Sequence, residues 1–141
     1  MRTLLLLTIL GTSSYAQESR LCSNETVQGT YGYIVNGTRP AGLVPGAPIE
    51  QVITVGLRNY DGRGNFTQVD TTKGSMTGTT IDQRASGTYT IDPDCTGTAI
   101  ITVNGAPGPE ARFVVVNRGK EIHWIVLSPP FVMASGGATL Q

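Results

Sequence analysis

The chain has 141 residues, with ten Lys and Arg balanced by ten Asp and Glu, a single His and two Cys. No basic stripe is present to displace counterions from a nucleic acid, and one His with two Cys cannot furnish the three or four ligands of a His/Cys metal centre. The length suits one domain with one modest core.

The first element is a targeting segment. Residues 1–16, MRTLLLLTILGTSSYA, carry Arg2, an apolar run from Leu4 to Leu10 and a small-residue site at Ser14-Tyr15-Ala16, the pattern of a secretory signal peptide. Neither that run nor any later one approaches the roughly 20 apolar residues of a spanning helix. The expectation is therefore a secreted or periplasmic chain without a membrane span, with residues 17–141 forming one domain. Losing Arg2 leaves that domain with one more acid than base. In an exported chain the pair Cys22 and Cys95 reads as a disulfide, and a loop of that length is worth about 4 kcal/mol in the chain-entropy picture.

From Tyr31 onward, short period-two runs alternate with Gly, Pro, Asn and Asp punctuation, and no helical period appears. The expected strands are Tyr31–Val35, Ile49–Tyr60, Phe66–Thr72, Thr77–Gln83, Gly87–Ile91, Thr98–Val103, Arg112–Asn117, Glu121–Leu127 and Val132–Leu140. In IEQVITVGLRNY, Ile49, Ile53, Val55 and Leu57 share one face, and Glu50, Thr54 and Arg58 share the other. The stretch Asn36–Glu50, with three Pro and three Gly, is expected to be a long surface loop. DGRG, PDCTG and NRGK read as tight turns.

About eight or nine short strands joined by hairpins leave two exposed edges unless the sheet closes. The fold class is all-β, a small antiparallel up-and-down barrel, with a two-sheet sandwich as the alternative. Alternating strand directions put Cys95, after a fifth strand, at the opposite end from Cys22. Residues 22–29 must then run back along or across the barrel, unless the strand count is off by one.

Few residues offer chemistry. NYDGRGNF holds Asp61 and Asn65 but lacks the closing bidentate Glu of a calcium loop, so it reads as a chain reversal. Glu121 and His123 share one face of their strand and form the one acid–base candidate, while Ile122, Trp124 and Val126 take the opposite, core-like face. Tyr31, Tyr33, Tyr89, Phe113 and Trp124 are the aromatics available to line an apolar ligand site. The sequons at Asn24, Asn36 and Asn65 are assigned no role. RFVVVN and HWIVL are apolar on successive residues, so part of the exterior is expected to be covered by the N-terminal segment or, in a homo-oligomer, by another subunit.

CSNETVQGTYGY after a signal peptide, then DGRGNF, SGTYTIDPDCTGT and RFVVVNRGKEIHWI, resemble a group of small exported bacterial proteins of uncharacterised function, over nearly the whole mature chain. More loosely, the pattern is similar to the small barrels of the allene-oxide-cyclase and dirigent type. That resemblance implies eight closed antiparallel strands that often oligomerise, and it transfers no catalytic residue and no cofactor. Three functions fit: a non-catalytic barrel binding a small apolar molecule or a surface partner, a packed interaction module without ligand, or a cyclase- or isomerase-like enzyme with a buried ionisable group.

Overall fold

The computed structural model describes residues 21–103 and 105–141, and the expected signal peptide lies outside them. Eight strands form one closed antiparallel barrel in chain order: β1 (Gln28–Pro40), β2 (Ile49–Asp61), β3 (Asn65–Gly74), β4 (Gly78–Ile91), β5 (Thr96–Val103), β6 (Ala106–Val116), β7 (Glu121–Ser128) and β8 (Met133–Leu140). Closure is made by β8 on β1, from Tyr31 opposite Leu140 to Thr38 opposite Met133. No sheet edge is left along the shared length of the ring, which is what a hairpin meander of this size requires.

The strand count differs from nine because Thr77–Gln83 and Gly87–Ile91 belong to one strand. β3 pairs with both halves, and the ladder continues across a bulge where Asp82 takes a φ of 53°. Nearly half of the Pro-rich stretch is also strand. Pro40 and Ile49 form the last pair of the β1–β2 hairpin, and the Ala41 N–H donates to the Pro48 carbonyl at 2.9 Å, leaving only residues 41–48 as the connection. Proline is tolerated there because it sits at the strand terminus, where no further ladder bond is needed.

The merged β4 resolves the cysteine problem. Cys95 follows the fourth strand and so lies at the end where β1 starts, across the ring from it. Cys22 bonds to Cys95 with Cα atoms 5.0 Å apart. The intervening residues then cross beneath the barrel to reach β1. Asn24 Oδ1 accepts from the Ile91 N–H at 2.8 Å, the Tyr89 hydroxyl donates to the carbonyls of Asn24 and Val27, and Val27 is fully buried. The N-terminal segment therefore plugs one end of the barrel rather than covering its side.

DGRG is the turn expected. Asp61 Oδ1 accepts the backbone N–H groups of Arg63 and Asn65 at 2.7 and 2.9 Å, and Oδ2 accepts from the Asn65 side chain. These bonds, led by the Asn65 side chain, hold the Asp61 carboxyl down at about 2. Asp94 does the same work in the β4–β5 turn by accepting from the hydroxyl and N–H of Thr96, which lowers its pKa.

Candidate functional site

Side-chain parity around the ring defines what faces the lumen. The inward set includes Tyr31, Tyr33 and Val35 on β1; Glu50, Val52, Thr54, Arg58 and Tyr60 on β2; and Phe66, Gln68, Asp70 and Thr72 on β3. β2 is thus turned with its polar face inward. Glu50 is 1% exposed and Arg58 6%, whereas Ile53, Val55 and Leu57 point out and are about half exposed. Tyr60 shares the parity of Arg58 and fills the core, and that large aromatic decides which face turns in.

At the disulfide end the lumen is packed solid. Tyr60 stands edge-on to Tyr31 and to Tyr89, with ring centroids 5.3 and 5.1 Å apart, and Phe66 lies 5.6 Å from it. The Tyr31 hydroxyl donates to the Gly119 carbonyl, and burial, with Tyr60 and Tyr89 nearby, pushes its pKa up to about 12. Phe113, Ile122 and Val115 complete this half.

The middle of the lumen holds a polar relay. Gln68 Oε1 accepts from Nε and Nη2 of Arg58 at 2.9 and 2.6 Å, and Gln68 Nε2 donates to Asp70 Oδ2 at 2.8 Å. The Tyr33 hydroxyl donates to the same Oδ2 at 2.7 Å, and burial followed by that bond raises its pKa strongly. Among the described residues the Arg58 guanidinium has no direct carboxylate partner. It lies 4.4 Å from the Phe66 ring centroid, 5.0 Å from Tyr33, 5.4 Å from Trp124 and 5.9 Å from Tyr60, so aromatic faces stabilise the cation instead. A glycine makes the packing possible: a side chain at Gly56 would collide with the Val69 carbonyl, Asp70 and the Tyr33 ring.

Beyond this relay, toward the connection at residues 41–48, the inward residues become small and only partly buried. Val35, Val52 and Thr54 face Ile101, Val103, Val126 and Ala134 from the other strands. The Thr54 and Thr72 hydroxyls pair at 2.7 Å on the wall just above Asp70. At the rim, Glu50 accepts from Arg39 Nε at 3.0 Å, from the Thr77 N–H at 3.0 Å and from the Met76 N–H at 3.2 Å. Burial alone would raise its pKa, but these donors outweigh it and hold Glu50 at about 2. Glu50 therefore fastens the β3–β4 turn to the first hairpin.

Tyr31, Tyr33, Tyr89, Phe113 and Trp124 all face inward and are buried, but they do not form one surface. Tyr31, Tyr89 and Phe113 belong to the packed end. Tyr33 and Trp124, with rings 6.0 Å apart, lie where the aromatic half meets the half lined by small residues. Glu121 and His123 point outward, 3.7 Å apart and well exposed, away from the lumen. The inward residues Arg58, Gln68 and Asp70 were not among those expected, and only their shared parity with Tyr60 and Phe66 points to them.

The exterior is rich in apolar side chains. Ile34, Ile53, Val55 and Leu57 form a patch on β1 and β2, and Val114, Ile125 and Leu127 are exposed on β6 and β7. Two shallow grooves flank the first patch, one of about 510 Å³ lined by Asn36, Gln51, Ile53 and Lys73, the other of about 310 Å³ beside Leu57, Val69 and Arg84. No protein-family model matches the chain, and no curated protein or solved structure matches it either. The fold itself is an eight-stranded up-and-down β-barrel.

Proposed function

We propose that this is an exported, non-catalytic barrel that binds one small, mostly apolar molecule in the half of its lumen nearest residues 41–48. The carrying observation is the asymmetry of the interior: large buried aromatics at the disulfide end give way to small, partly exposed Val, Ile, Thr and Ala at the other. An eight-stranded barrel is either filled by its own side chains or left with room for one small ligand, and the change from large to small inward residues along the axis favours room in the far half. Apolar walls around a few polar anchors are the usual make-up of a ligand site. Export rests on the N-terminal pattern and accords with the Cys22–Cys95 bond. Native mass spectrometry of the protein recovered from its own host is expected to show a retained molecule of a few hundred daltons, released on unfolding; ligand-free protein that also takes up no apolar probe would defeat the proposal.

A surface role is the second reading, supported by the exposed Ile34, Ile53, Val55 and Leu57. Exposed apolar patches of this kind mark interaction surfaces. Light scattering tests it in its homo-oligomeric form, and a monomer mass at micromolar concentration would end that form.

A further inference from the structure

We infer that the lumen takes an apolar molecule headed by an uncharged hydroxyl and discriminates against a carboxylate head, an inference that rests on the binding role proposed above. The two oxygens of Asp70 are unequally used. Oδ2 accepts short bonds from Tyr33 and Gln68, whereas among the described residues Oδ1 receives only Thr72 at a long 3.4 Å. Asp70 is 7% exposed, so a well-placed donor for Oδ1 has to come from within the lumen. Register places this group at the floor. Asp70 pairs with Gly56, Thr72 with Thr54 one step nearer the rim, and Gln68 with Arg58 one step deeper.

A ligand that has passed Glu50 at the rim therefore meets the Thr54–Thr72 hydroxyl pair and then Asp70. Its O–H can donate to Oδ1 while its oxygen accepts from one of the threonines. A carboxylate head brings acceptors only and would face another acceptor-only group. Arg58 cannot rescue it, because that cation lies deeper, bonded to Gln68 and enclosed by aromatic rings. Within the described residues the inward charges already balance, Arg58 with Asp70 and the partly buried Arg39 with Glu50, so any charged head would be desolvated without a counter-charge. Val35, Val52, Ile101, Val126 and Ala134 would surround the chain of the ligand.

Trp124 is the single tryptophan and lies at the floor, so its fluorescence reports occupancy. The mature protein is titrated at pH 7.5 with 1-octanol, octanoate and octylamine. The expected result is a saturable change with 1-octanol, at least about tenfold weaker binding of octanoate, and a loss of that preference in Asp70→Asn. Thr54→Val, a milder change, is expected to reduce the preference in the same direction and serves if Asp70→Asn does not fold. Octanoate or octylamine binding as well as 1-octanol, or a preference unchanged in the variant that folds, overturns the inference while leaving lumenal binding intact. Saturable binding of none of the three overturns lumenal binding itself.

Discussion

Glu50 joins two hairpins through one carboxylate, so its protonation should be visible in stability. Its pKa is held at about 2 against an ordinary 4.5, and Asp61 lies at about 2 against 3.8. A lowered folded-state pKa contributes stability that is complete above the unfolded value and disappears as pH falls through the folded value. The melting temperature is therefore expected to be level from about pH 7 to 5 and to fall between about pH 4.5 and 2. Glu50→Gln should flatten that fall and lower the melting temperature at pH 7, and an unchanged acid limb would contradict the role given to Glu50. Arg58 makes a different prediction. Truncating it leaves Gln68 without its donors and a void among four aromatic rings, so Arg58→Ala should cost about 3 kcal/mol in urea unfolding. A loss under about 0.5 kcal/mol would mean that the guanidinium is not enclosed.

At the scale of elements, the N-terminal plug and the β6–β7 turn depend on each other. Gly119 has a φ of 85°, and a β-carbon there would land on the Thr26 carbonyl oxygen. Gly119→Ala should therefore lower stability by more than about 1 kcal/mol, and should loosen protection of the Val27 amide in hydrogen exchange. The Cys22–Cys95 bond closes a loop of 73 residues, so its removal in Cys22→Ser/Cys95→Ser is expected to cost about 4 kcal/mol in chemical unfolding. A loss under about 1 kcal/mol would show that the plug holds without it. Elements were largely legible in the sequence where alternation and turn chemistry agreed, as in β2, β3, β7 and DGRG. They were misread where a local signal was overridden by pairing. The bulge at Asp82 divides one strand into two apparent runs, and Pro40 and Pro48 give a strand end the look of a loop.

For the whole molecule, closure was readable because hairpin punctuation gives a meander whose two edges are both removed by closing, which a two-sheet sandwich would not do. The orientation of β2 was harder to read, because an apolar face turned toward solvent contradicts the usual sense of burial. Only Tyr60, on the same face as Arg58, breaks the tie, and its weight becomes clear once Tyr31, Phe66 and Tyr89 are seen around it. Glu121 and His123, by contrast, were the most chemical pair in the sequence and lie on the outer wall. On the proposed binding role the barrel is a cup, stopped by aromatic rings and the N-terminal segment at one end and lined by small residues at the other. Thiol labelling of two single variants with N-ethylmaleimide, under conditions that keep Cys22–Cys95 oxidised, tests that description most directly. Thr54→Cys, inside the lumen, is expected to react and to be slowed several-fold by 1-octanol, while Val55→Cys, on the outer wall, reacts at a rate that 1-octanol leaves unchanged. A thiol at position 54 that stays inert, or that reacts at the same rate with and without the alcohol, would contradict an open lumen.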